Sequence, residues 1–139
     1  AVIFTDKGMQ LFSTRVETSP ESVKQIPIEE NIRSITYAQD KVGIVTDNVE
    51  GGDPYRLRIY DREGSPVFEK TFNYQYTGFD IDGDLVLLYN DSSCKVYNMT
   101  GTEKYNGTFD FTVSKVSAGR FPGTLLVMGP QKMTEIKLQ

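Results

Sequence analysis

Asp80, Asp82 and Asp84 stand two residues apart, and three carboxylates at that spacing can offer oxygen ligands to a calcium ion. The spacing fails as an EF-hand loop, because Leu85 occupies the sixth position where Gly is required and Asp91 the twelfth in place of Glu. A hairpin turn at Asp82-Gly83 with flanking solvent-facing acids accounts for the same residues, since Gly accepts the positive φ of a primed turn. A second group is aromatic: Tyr74, Tyr76 and Phe79 can stack on a sugar or a peptide, or pack as alternating strand residues. A third lies in residues 48–55, where Glu50, Asp53 and Tyr55 surround a Gly-Gly pair and a Pro. A long loop of that composition between short strands is where a rigid scaffold carries binding specificity.

The inventory for catalysis is thin. The chain contains no His, which removes Ser-His-Asp and Cys-His arrangements, histidine zinc sites and the commonest general base. The single Cys94 builds neither a thiolate metal site nor an internal disulfide. Carboxylate pairs could still serve hydrolysis, but most of the 19 Asp and Glu fall in turns or alternate with apolar residues. Neither Gly8 nor the Gly51-Gly52 pair belongs to a phosphate-binding loop. The expectation is a non-catalytic domain with no cofactor. Asn90, Asn98 and Asn106 begin Asn-x-Ser/Thr sequons, and a turn requirement for Asn explains each better than a glycan would.

The balance of charge narrows the partners. With 15 Lys and Arg against 19 Asp and Glu, the chain carries a net charge of −4, which opposes binding to a phosphate backbone. Nucleic acid is excluded as an expected partner. No apolar run approaches the roughly 20 residues that span a bilayer, so no membrane insertion by these residues is expected. A hydrophobic content of 38% with 12% aromatics suits a folded β protein of 139 residues.

What positions these groups is a repeat. Apolar runs begin at Ala1, Val42, Leu85 and Thr124, at intervals of about forty residues, the period of propeller blades. A second element recurs in step: Ile59 to Phe72 matches Val96 to Phe109. Each unit reads as short strands joined by turns, an antiparallel meander. Met9/Leu11, Leu57/Ile59, Cys94/Val96 and Thr134/Ile136 fall at equivalent positions and alternate with Gln10, Arg58, Lys95 and Glu135. Period-two alternation puts the first set on a core face and the second on a wetter one. Residues 14–27 read as a long loop with one strand near Val23 to Ile26, its Ser19-Pro20 imitating a helix start. The fold class is therefore all-β, an incomplete β-propeller or propeller-like stack of four-stranded antiparallel units. The units span approximately 1–28, 32–72, 75–109 and 112–139, with three, four, four and three strands. The missing strands and the mid-strand start lead us to expect a piece of a longer propeller, or a homodimer covering its open sheet edges.

Two stretches carry a resemblance. Leu85 to Tyr97, continued by Thr100 to Phe109, is similar to a bacterial, clostridial-type Gram-positive family known only as a domain of unknown function. Arg120 to Val127 and Glu135 to Leu138 look like the end of such a protein. The resemblance covers most of residues 32–139 and, more loosely, 1–31. It implies a parent with one amino-terminal membrane helix and a propeller-like domain on the extracytoplasmic side of the cell membrane. It carries no catalytic residues with it. The expected role is a binding or scaffold module for a protein or cell-envelope component, with Glu50, Asp53 and Tyr55 in contact. The alternative is a carbohydrate or small-ligand sensor reading its ligand with Tyr74, Tyr76, Asp80 and Asp82.

Overall fold

The computed structural model describes residues 2–5, 8–13, 21–28, 30–38 and 40–138. Among the described residues fourteen strands form four antiparallel sheets, and within each sheet the strands pair in chain order. The first sheet holds β1 (Val2–Thr5), β2 (Gly8–Ser13) and β3 (Glu21–Pro27). The second holds β4 (Ile32–Tyr37), β5 (Lys41–Asp47), β6 (Tyr55–Asp61) and β7 (Pro66–Phe72). The third holds β8 (Gly78–Asp82), β9 (Leu85–Tyr89), β10 (Ser93–Asn98) and β11 (Glu103–Thr108). The last is β12 (Lys115–Ala118), β13 (Thr124–Met128) and β14 (Met133–Lys137). The chain divides into two compact units, residues 1–73 and 74–139.

In the first unit, β3 is longer than the sequence suggests. It starts at Glu21, pairs with β2 from Ser13 opposite Glu21 to Gly8 opposite Pro27, and so extends the strand expected near Val23 to Ile26 at both ends. Pro27 is tolerated because it stands at the end of an edge strand. Ala1, Gln39 and residues 14–20, with the helix-like Ser19-Pro20, lie outside the described residues, as do the side chains of Met9 and Leu11. The strand β6 alternates as expected: Leu57 and Ile59 are fully buried, while Arg56, Arg58 and Tyr60 take the opposite face. That opposite face meets an apolar cluster of Ile28, Val42, Ile44 and Tyr60, with Ile32 packed against it.

In the second unit, the core lies between the third and last sheets. Leu85 and Leu87 of β9, Cys94 and Val96 of β10, Val116 of β12 and Leu125 and Val127 of β13 join Val113 in one buried cluster. Asp82 and Leu85 close a tight hairpin in which Gly83 takes a φ of 62°. Asp84 follows without positive φ, so Gly stands at the first central position, as a type II′ turn demands.

The registers revise one alignment. Ile59 faces Gly43, Val96 faces Leu87 and Ile136 faces Leu125. Gly43, Leu87 and Leu125 are therefore equivalent, whereas the run-to-run alignment had set Val86 beside Gly43 and Leu125. The third run is out of step by one residue. Leu85 to Leu88 is apolar at every position, so its own sequence has no alternation to fix which residues face which side.

Candidate functional site

On the second sheet, β6 carries Arg56 and Arg58 on the face opposite its buried leucine and isoleucine. The expected wet face is instead a packed network of ion pairs. The Nη2 of Arg58 donates to both carboxylate oxygens of Glu30 at 2.8 Å. Its Nε lies 3.0 Å from Oε1 of Glu69, the residue directly opposite in β7, at an angle outside hydrogen-bond geometry. Glu69 also reaches Arg56 at 3.4 Å, so one carboxylate bridges two guanidinium groups. Burial works against the charge on Arg58, yet Glu30, Tyr60 and Glu69 outweigh it and hold its pKa above the ordinary arginine value. Tyr60 is shifted upward as well, chiefly by burial.

The loop over residues 48–54 is tied to this network. Asn48 donates its amide to the carbonyls of Gly51 and Asp53 at 3.1 and 2.8 Å. Its Oδ1 accepts from Arg56 Nη2 at 3.2 Å and from the Glu50 amide at 3.4 Å. Arg56 pairs with Glu50 at 3.0 Å, and Thr71 of β7 donates to Asp53 at 3.0 Å. Positive φ at Gly51 and Gly52 lets the chain reverse. At the tip, Val49 is 76% exposed and the Glu50 side chain 77%. The loop is thus anchored at its base and bare at its tip. A shallow cleft of about 100 Å³, lined by Arg58, Ile59, Tyr60, Pro66, Phe68 and Glu69, lies on the same sheet. It is small beside the roughly 300–1,000 Å³ of small-molecule sites.

Glu50 and Asp53 therefore belong to one constellation, and the structure adds Asn48, Arg56, Arg58 and Glu69 to it. Tyr55 does not project from the loop. It opens β6, and its ring packs on Phe72 with centroids 5.4 Å apart. A readable signal for the missed residues was present: two arginines at alternate positions of a strand need acidic neighbours, and Glu69 stands on the next strand.

The aromatic candidates are committed elsewhere. Asn90 receives four hydrogen bonds at Oδ1, from the amides and hydroxyls of Ser92 and Ser93 at 2.9–3.3 Å. Because the Ser93 hydroxyl donates there, the Tyr74 hydroxyl is the donor in its 2.7 Å bond to Ser93 Oγ. Burial raises the Tyr74 pKa. Tyr76 meets Phe79 edge-on, with centroids 6.3 Å apart. Tyr74 and Tyr76 are both half-buried.

The aspartate trio separates too. The Asp82 carboxylate accepts the Ala118 amide of β12 at 2.8 Å, Asp80 accepts the Ile81 amide at 2.9 Å, and Asp84 is exposed in the turn. Among the described residues no three His, Cys, Asp or Glu side chains converge as a metal-binding group would, this trio included. Of the sequon asparagines, Asn90 and Asn98 do organise turns, Asn98 accepting from the Thr100 and Thr102 amides at 3.0 and 2.9 Å. Asn106 departs from that reading: it is an exposed residue inside β11, opposite Lys95. Among the described residues no helix is long and apolar enough to cross a membrane.

Comparison with known proteins gives a family and a fold. The sequence profile described as "Family of unknown function (DUF5711)" matches residues 1–138. No curated protein matches the chain. Among solved structures, the computationally designed Ika4 protein superposes with a TM-score of 0.57 at 8% identity, covering 96% of this chain and 81% of its own. HIRA(644-1017) gives 0.54 at 13% identity over 79% of this chain, and BamB from Moraxella catarrhalis 0.51 at 11% over 96%. This chain spans only 35% and 38% of those two. The likeness is one of fold: an all-β chain whose sheets resemble propeller blades.

Proposed function

The chain belongs to DUF5711, a family of unknown function, and we propose that it is a non-catalytic binding module whose contact surface is the 48–54 loop of the second sheet. One observation carries this reading. The loop's base is locked by Asn48 and Arg56, and Val49 stands exposed at the tip beside Glu50, whose exposed carboxylate is held by Arg56. A pre-ordered loop loses little conformational entropy on docking, which is what a recognition loop on a rigid scaffold requires. The partner is a protein or cell-envelope component met on the extracytoplasmic side of the membrane, a placement that rests on the resemblance in residues 32–139. The absence of His and the engagement of Arg56, Arg58, Glu50 and Glu69 in ion pairs support binding over catalysis.

A photo-crosslinking residue placed at Val49 in the full-length protein in its own cells tests the reading. A discrete adduct should form and should fade when Arg56→Ala unties the loop. No adduct, or one indifferent to Arg56→Ala, would sink the proposal.

A further inference from the structure

Of the six prolines only Pro54 follows an aspartate, and the Asp53-Pro54 bond lies in the 48–54 loop. That pairing has a chemistry of its own. An aspartate side chain can close a small ring onto its own backbone carbonyl, so its carboxylate is a nucleophile permanently at hand. The nitrogen of Pro54 belongs to a tertiary amide, and once it takes a proton it leaves more readily than an ordinary peptide nitrogen.

The loop holds both reacting groups. Nδ2 of Asn48 donates to the Asp53 carbonyl oxygen at 2.8 Å, the separation at which a donor stabilises an oxyanion. The same amide group also donates to the Gly51 carbonyl at 3.1 Å, and Oδ1 of Asn48 accepts from Arg56 at 3.2 Å, so the donor is fixed in its aim. From β7, Thr71 donates to Oδ2 of Asp53 at 3.0 Å and holds the carboxylate in place. Asp53 is half-buried and Pro54 exposed, which keeps the nucleophile ordered while solvent reaches the nitrogen.

From this arrangement we infer that the Asp53-Pro54 bond is a self-cleavage site. A carboxylate oxygen of Asp53 attacks the Asp53 backbone carbonyl carbon, and the carbonyl electron pair moves onto the oxygen that Asn48 holds. Collapse of this intermediate restores the carbonyl and breaks the C–N bond. The electron pair leaves on the Pro54 nitrogen, which takes a proton from solvent. Asp53 is then a cyclic anhydride, and one water molecule opens it to two carboxyl groups. The products are residues 1–53 and residues 54–139, the second beginning with Pro54 as a secondary amine. The ladder from Lys41 opposite Asp61 to Asp47 opposite Tyr55 keeps them together, so the product is a nicked sheet. Cleavage happens once per molecule, needs no His, and stands whether or not the loop binds a partner.

Intact-mass spectrometry of the purified chain, incubated in mildly acidic buffer, tests the inference. Two fragments that meet at Asp53 and Pro54 should accumulate, their masses adding up to the chain plus one water. They should form at least about tenfold faster than in the same buffer with enough urea to unfold the chain, because only the fold aligns the groups. Asn48→Ala should slow cleavage at least about tenfold by removing the oxyanion donor. Thr71 is a positioning residue: Thr71→Val should slow cleavage and Thr71→Ser, which keeps the hydroxyl, should restore it. Pro54→Ala takes away the leaving group and should abolish it. An intact chain, breakage at other bonds, equal rates in folded and unfolded chains, or a rate indifferent to Asn48→Ala would overturn the inference.

Discussion

Cys94 has the simplest residue-scale consequence. It is fully buried, and burial pushes its thiol from 9.0 up to about 12. The folded chain therefore holds the proton more tightly than the unfolded one. This contribution to stability is whole below pH 9.0 and drains away as the pH climbs toward 12. Urea titrations at pH 8 and near pH 10.5 should show the native chain losing about 1–2 kcal/mol more than Cys94→Ala over that interval. Equal losses in the two proteins would mean the thiol titrates freely. Burial of Cys94 was legible, because it replaces Leu57 in an alternating strand. The role of Arg58 was not. Alternation says which face a side chain takes, and only the neighbouring strand says whether that face holds water or carboxylates. The place of Tyr55 at the start of β6 was hidden for a related reason: the turn-forming residues 48–54 precede it, and nothing local marks where the strand resumes.

Strand order and most strand limits could be read from the turns, since Asp82-Gly83 and the Asp61 to Ser65 segment announce hairpins. Phase could not be read where every residue is apolar, as the one-residue offset of β9 illustrates. Cross-strand contacts supply the missing information. Gly78 faces Tyr89, and a Cβ at Gly78 would meet the Tyr89 ring at 2.2–2.6 Å. The ring lies over the glycine, an aromatic side chain roofing a bare stretch of the edge strand β8. Gly78→Ala should displace that ring from the core margin and cost about 1–3 kcal/mol in urea unfolding. Adding Tyr89→Leu to the same chain should recover part of the loss. Additive costs in the double variant would show that the two sites do not touch. The full extent of β3 was hidden because Pro27 reads as a breaker, although a sheet edge admits it.

At the scale of the whole chain, the period near forty and the strand counts were visible from sequence alone, while the division into two compact units was not. The core of Leu85, Leu87, Cys94, Val96, Val113, Val116, Leu125 and Val127 is drawn entirely from residues 74–139. Residues 74–139 expressed alone should give a dispersed amide spectrum and a cooperative thermal transition; a collapsed, undispersed spectrum would show that this core does not suffice. Every ladder in the four sheets joins strands adjacent in the chain. Sheets that pair distant segments must wait for their partners and expose raw edges meanwhile. Here nothing waits. As the polypeptide leaves the ribosome, each hairpin meets its mate within the next few residues to emerge, so the molecule can be assembled in the order in which it is translated, with little time for a half-made sheet to find the wrong neighbour.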